Sequence, residues 1–126
     1  MAISVLIVDD NAHVRSGLSE LFSRDGEFEI CGEAENGEDA IEKAIRLQPD
    51  LIVTDLSMPV MNGLDETRFL SQTLSGVPVI IYTAHADPFI EKEARAAGAA
   101  LVVSKSDPIG SLLQLARSMF RRQAAA

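Results

Sequence analysis

Three acidic residues in this chain end apolar runs instead of lying among polar neighbours. Asp9 and Asp10 follow Ile3–Val8, and Asp55 stands in "TDLSMP", directly after the run Leu51–Val53 and Thr54. Thr83, with Ala84 after it, closes the run Val77–Tyr82, and Ser104 and Lys105 follow Ala100–Val103. If these ends meet, the carboxylates repel, at about 3 kcal/mol per pair for charges about 5 Å apart at an effective dielectric of about 20. Lys105 supplies one positive charge towards neutrality. A hard divalent cation supplies two, and an all-oxygen donor set suits Mg2+, which keeps several waters and needs few protein ligands. No Cys/His cluster has the spacing of a zinc site. A carboxylate beside a cation, a lysine and a hydroxyl is equipped for phosphoryl transfer. The carboxylate can attack phosphorus and form an aspartyl phosphate, and cations and donors stabilise the oxygens of the transferring group. Asp55 is the central candidate, with Lys105 and Mg2+ neutralising the incoming charge and Thr83 donating a hydrogen bond to the product.

Five βα units would bring those ends together. The apolar runs Ile3–Val8, Phe28–Cys31, Leu51–Val53, Val77–Tyr82 and Ala100–Val103 predict strands. The first, third and fourth are nearly continuous Val, Ile and Leu, as in a parallel sheet covered on both faces. Segments of helical spacing alternate with them. Val14, Leu18, Leu21 and Phe22 follow Asn11 as N-cap, and Ala40, Ile41, Ala44 and Ile45 follow a turn at Asn36–Gly37. Leu64, Thr67 and Leu70–Ser71 suggest a third, weaker helix. Ile90, Ala94 and Ala97 form a fourth, with Pro88 in its first turn and Gly98 past its end. Ile109, Leu112, Leu113, Ala116 and Phe120 form a fifth, with Asp107 as cap, Pro108 as first residue, and Arg117, Arg121 and Arg122 towards the negative end of its dipole. The (βα)5 order implies a doubly wound α/β fold with right-handed crossovers, flavodoxin-like, with strand order 2-1-3-4-5. Ligands of such sheets bind beyond the carboxyl ends of the strands, at the switch between the first and third, where the acidic residues fall.

The 126 residues suit one domain, and 47% apolar content is enough for a continuous core. No repeat, low-complexity tract or Gly/Ser linker divides the chain. A net charge of −8 repels phosphate backbones and anionic lipid, so neither direct nucleic-acid binding nor a membrane partner is expected. The single cysteine, Cys31, excludes an internal disulfide and fits a reducing compartment, and no stretch approaches the ~20 apolar residues of a spanning helix. The expectation is a soluble cytoplasmic domain.

Over essentially its whole length the chain resembles the receiver domain of two-component response regulators. The resemblance rests on the pair Asp9–Asp10, Asp55 within "DLSMP", Thr83 with its small follower Ala84, Lys105, "MNG" at 61–63 and "AG" ending at Gly98. Each motif is weak alone, and together, in order on five βα units, they form a specific signal. The resemblance implies that residues 1–122 form the receiver and 123–126 a disordered tail or the trimmed end of a longer chain. Asp55 would be the phosphoacceptor. Asp10 would ligate Mg2+ directly, Asp9 through water, and the backbone carbonyl of Ser57 would be a further ligand, while Thr83 and Lys105 would bind the phosphoryl oxygens. The phosphodonor would be a phosphohistidine on a sensor histidine kinase or phosphotransfer protein. The chemistry would be self-directed, transfer onto Asp55 and later hydrolysis, without turnover of a small substrate. Phosphorylation adds about −1.5 to −2 charges. Thr83 and the loop after the fourth strand would follow them, biasing the α4–β5–α5 surface, through which an output domain or a second copy would dock.

Two positions depart from the family pattern. Val102 stands where an aromatic switch residue is frequent, three before the lysine, and Ser106 stands where proline often follows it. A cis peptide at Lys105–Ser106 would cost about 3–4 kcal/mol. Several residues also have bland readings. Asp9 and Asp10 could cap the first helix, Lys105 could be solvated, and Thr83 could bond backbone. His85 is either a regulator of dephosphorylation or an exposed loop residue, His13 a surface residue, Cys31 a small apolar filler, and Leu115 and Met119 rim packing or a docking patch. An aspartate-nucleophile phosphatase would need a D-x-D arrangement after the first strand, where this chain has adjacent aspartates. A flavin carrier would need a Ser/Thr/Gly-rich phosphate loop where this chain has "DDNAHVR". A receiver-like interaction module working without phosphorylation is the remaining alternative.

Overall fold

A computed structural model describes residues 2–58 and 61–125, with the side chains of 122–125 left aside. Pro59 of the "DLSMP" motif and the Arg122 side chain therefore lie outside the described residues. The elements alternate as expected: β1 Ile3–Val8, α1 Ala12–Arg24, β2 Phe28–Ala34, α2 Gly37–Leu47, β3 Leu51–Thr54, α3 Gly63–Thr73, β4 Val79–Thr83, α4 Pro88–Ala97, β5 Leu101–Ser104 and α5 Ile109–Ala125. The strands form one parallel sheet in the order β2-β1-β3-β4-β5.

The run of Val, Ile and Leu in β1 is explained by burial on both faces. Val5 and Ile7 face Leu18 and Phe22 of α1 and Leu112 and Ala116 of α5. Leu6 and Val8 face Ala40 and Ala44 of α2 and Leu70 of α3. The two-residue side-chain period thus feeds two cores from one strand. A third cluster joins Ile81, Ala94 of α4, Leu56 and Ala99, with Val102 packed against it.

Local chemistry sets the element ends. The Asn11, Asn36, Asn62 and Asp87 side chains accept hydrogen bonds from first-turn amides of α1, α2, α3 and α4. Asn36–Gly37 is therefore a helix start and not a turn before one. Gly37 is required there by crowding, since a Cβ would overlap the carbonyl oxygen of Met61, to which the Gly37 amide donates at 3.0 Å. Gly98 ends α4 at φ +110°, beside Ser71.

Several strand boundaries and the start of α5 move from the sequence reading. β2 continues past Cys31 to Ala34, because its register against β1 shifts between Val5 and Leu6 and Cys31 is the bulged residue. β4 begins at Val79, since Val77 closes a turn onto Leu74 and Pro78 has no amide to donate. β3 and β5 each run one residue further, to Thr54 and Ser104. α5 opens at Ile109, with Pro108 before it and the Pro108 carbonyl accepting from the Ser111 amide.

Candidate functional site

The sheet aligns its tips through backbone bonds. The Asp55 amide donates to the Val8 carbonyl at 3.0 Å, and the Lys105 amide donates to the Thr83 carbonyl at 2.8 Å. Asp9 and Asp55 thus emerge from adjacent central strands, and Thr83 and Lys105 from the next two. Carboxylate oxygens of Asp9, Asp10 and Asp55 all lie within 4.8 Å of one another. Asp9 and Asp55 are buried and Asp10 is exposed.

Lys105 reaches back to this cluster. Its Nζ donates to Asp9 Oδ2 at 2.9 Å and stands 3.5 Å from Asp55 Oδ1. Below it lies the Tyr82 ring, whose centroid is 5.8 Å from Nζ. Burial alone would lower the Lys105 pKa, but the bond to Asp9 and the charges of Asp55 and Asp9 outweigh it and hold the ammonium above its ordinary value. For Asp55, burial dominates and raises the carboxyl. Lys105 pulls it back, the Asp9 charge raises it again, and the Leu56 amide, donating to Oδ1 at 2.8 Å, lowers it.

The remaining donors of this set are on the backbone or one bond removed. Asp9 Oδ1 accepts from the Asn11 amide at 2.9 Å, and Arg15 Nη1 donates to the Asp9 carbonyl at 2.7 Å. Thr83 is fully buried, and its Oγ1 accepts from the His85 amide at 3.1 Å, which leaves its own O–H to donate. The His85 side chain is exposed and only its backbone makes that contact, and His13 is exposed as well. Ser57 is exposed, two residues past Asp55. Lys105–Ser106 is trans.

The donor set fits a hard divalent cation on its chemistry. Among the described residues three carboxylates crowd one spot, every candidate ligand atom is oxygen, and one lysine opposes them. Such an arrangement can draw in a dianionic phosphoryl group only with added positive charge, and it then presents a partly desolvated carboxylate to phosphorus. Gly63, in "MNG", serves the same place, because a Cβ there would overlap the Asp55 carbonyl oxygen, and so α3 starts hard against the Asp55 backbone.

Sequence reading missed four residues around the site. Tyr82 underlies Lys105, and Arg15 braces Asp9. Thr54 and Glu66 form a buried pair behind Asp55, with Thr54 Oγ1 2.8 Å from Glu66 Oε1. Glu66 shares the buried face of α3 with Gly63, Thr67 and Leu70, a spacing of three, four and seven that exposes it as a core position despite its charge.

Comparison with known proteins adds a family. Residues 5–117 match the response regulator receiver domain family. The chain is 36% identical over 112 residues to a protein-glutamate methylesterase/protein-glutamine glutaminase of Nocardioides sp., covering 87% of this chain and 31% of that protein. It is 37% identical over 97 residues to the transcriptional regulatory protein LnrK of Bacillus subtilis, covering 77% and 44%. It thus spans less than half the length of these curated relatives. A chain of the crystal structure of a CheX-CheY-BeF3-Mg2+ complex from Borrelia burgdorferi superimposes with a TM-score of 0.89 at 28% identity, over 94% of this chain and 89% of that one. Among the described residues no helix is long and apolar enough to cross a membrane.

Proposed function

Because the chain belongs to the response regulator receiver domain family of two-component systems, we propose that it is a phosphorylation-dependent switch whose phosphoacceptor is Asp55. The observation that carries this reading is the meeting of Asp9, Asp10 and Asp55 within 4.8 Å, with Lys105 bonded into the cluster.

Asp10 and Asp55, the Ser57 carbonyl and, through water, Asp9 would hold Mg2+. When bound, the ion supplies the positive charge that lets a phosphoryl group approach three carboxylates. An Asp55 carboxylate oxygen attacks the phosphorus of a phosphohistidine on a kinase or phosphotransfer protein. The P–N bond breaks as the O–P bond forms, and the histidine leaves with its electron pair and takes up a proton. Lys105 pairs with the equatorial oxygens, and the Thr83 hydroxyl donates to one of them. Hydrolysis later returns Asp55 and releases phosphate. Burial, by raising Asp55, gives a more basic and therefore more nucleophilic carboxylate than an exposed aspartate.

The readout would lie on α4, β5 and α5. Thr83 accepts from the Lys105 amide through its carbonyl and from the His85 amide through its hydroxyl oxygen, so movement of that hydroxyl reaches the loop before α4. Val102 is paired with Ile81 across β4 and β5 and packs against the cluster that Ile81 forms with Leu56, Ala94 and Ala99, so apolar packing takes the place of an aromatic rotamer on this route. The names of the relatives, a methylesterase and a transcriptional regulator, support an output domain as the recipient, with a second copy docking through α4–β5–α5 as the other route.

The test is intact-mass measurement after incubation with acetyl phosphate, with and without Mg2+. Wild type should gain one phosphoryl group only with Mg2+, and Asp55→Asn should gain none. Unchanged mass under every condition would favour an interaction module that works without phosphorylation. Equal uptake by Asp55→Asn would move the acceptor elsewhere.

A further inference from the structure

Among the described residues Glu66 is the one fully buried carboxyl that the proposed transfer chemistry does not use. It is 0% exposed, and its Oε2 has no hydrogen-bond partner among the described residues. Among the described residues its one side-chain hydrogen bond is with Thr54 Oγ1, 2.8 Å from Oε1. Thr54, also fully buried, immediately precedes Asp55, and the same Oγ1 lies 3.2 Å from the Asp55 carbonyl oxygen. A hydroxyl has one hydrogen, so it donates to the Asp55 carbonyl or to Glu66, not fully to both. A charged Glu66 can only accept and takes that hydrogen. A neutral Glu66 with its proton on Oε1 donates to Oγ1 and frees the Thr54 hydrogen for Asp55. The Asp55 carbonyl is already crowded by Gly63 at the start of α3, so this bond acts on a backbone with little slack.

We propose that Glu66 is a positioning residue for the phosphoacceptor, acting through Thr54: its neutral carboxyl leaves the Thr54 hydroxyl on the Asp55 carbonyl, and its charged carboxylate draws that hydroxyl away. The effect on Asp55 reactivity rests on the phosphoacceptor reading above. The bond exchange itself does not.

The surroundings favour the neutral form. Burial pushes the Glu66 carboxyl up to about 8, with the Thr54 hydrogen bond as the opposing influence. Among the described residues no cation stands ready to hold a charge there. On its own helix Arg68 pairs with Asp65, on α2 Lys43 pairs with Asp39, and on α4 Arg95 pairs with Glu91. Arg46 and Lys92 are exposed. On the strand side the nearest charged residue in sequence is Asp55, whose Oδ1 is engaged by Leu56 and Lys105.

The test follows the 13C shifts of the Glu66 carboxyl and the Asp55 backbone carbonyl from pH 6 to 10 in wild type, Glu66→Gln and Thr54→Val. In wild type both should move with one shared midpoint, near the expected 8. In Thr54→Val Glu66 should still titrate while the Asp55 carbonyl stays fixed, and in Glu66→Gln the carbonyl should also stay fixed. Acetyl phosphate uptake with saturating Mg2+ should change several-fold across the same midpoint in wild type and be flat in Glu66→Gln, at the rate wild type shows on the acid side. A Glu66 that does not titrate in this range overturns the proposal. So does an Asp55 carbonyl that ignores a titrating Glu66, or one that moves equally in both variants. If wild type takes up no phosphoryl group at any pH, the phosphoacceptor reading fails, and the carbon shifts still decide whether Glu66 positions Asp55.

Discussion

The two ends of the sheet handle acidic residues in opposite ways. At the amino end Asp25 pairs with Arg117, Glu27 with Arg117 and Arg121, and the Asp50 carboxylate takes both the amide and hydroxyl of Ser4. A groove of about 410 Å3 opens there, lined by Ile3, Glu27, Arg117 and Phe120, but its charges are already matched. At the carboxyl end three aspartates share one lysine. Cavity size would point to the first end and charge imbalance points to the second. Balanced ion pairs between helix ends hold a fold together, whereas an unbalanced cluster lowers its energy when something arrives from outside.

The largest effect should come from removing the lone cation. Lys105→Met keeps an apolar stem over Tyr82 and deletes the charge, and phosphoryl uptake from acetyl phosphate, followed by intact mass, should fall about 100-fold. If uptake is unchanged, Lys105 serves only to neutralise Asp9. Next in size is the pH dependence of stability. The folded chain holds a proton on Glu66 up to about pH 8, while the unfolded chain releases it near the ordinary 4.5. The Glu66 contribution is therefore full below about 4.5 and is lost as pH rises to about 8, at up to about 1.4 kcal/mol per pH unit. Urea unfolding across pH 5–8 should show this slope in wild type and a shallower one in Glu66→Gln. A parallel slope in both would mean that Glu66 is already charged.

The balanced end should respond in stability alone. Arg117→Ala strands a mostly buried Asp25 and should cost about 1–3 kcal/mol in urea unfolding, with phosphoryl uptake unchanged. The smallest effect should be of opposite sign. Asp10→Asn relieves repulsion in the metal-free chain and should stabilise it by about 0.5 kcal/mol at low salt, fading as salt is added. A loss of stability in Asp10→Asn would place the imbalance elsewhere.

Much of this arrangement was legible because it depends on one-dimensional patterns. Nearly continuous Val/Ile/Leu runs declared β1, β3 and β4, and Asp9, Asp10, Asp55, Thr83 and Lys105 fell at strand ends that any sheet of this order brings together. The Cys31 bulge was not legible, since it comes from a register mismatch between β1 and β2 that neither strand records alone. The Thr54–Glu66 pair was missed for another reason. Glu66 reads as a surface letter, and its partner is 12 residues away on a different element. The buried spacing of Gly63, Glu66, Thr67 and Leu70 was present in the sequence, but an acidic residue in it is read as solvated unless a hydroxyl is already known to face it.

Calorimetric titration of the chain with Mg2+ at neutral pH tests most directly whether the crowded carboxylates are built for a cation. Wild type and Arg117→Ala should show the same saturable single-site binding, and Asp10→Asn and Asp55→Asn should bind at least about tenfold more weakly. No saturable heat in wild type, or equal binding by all four proteins, would contradict a divalent-cation site at the carboxyl end of the sheet.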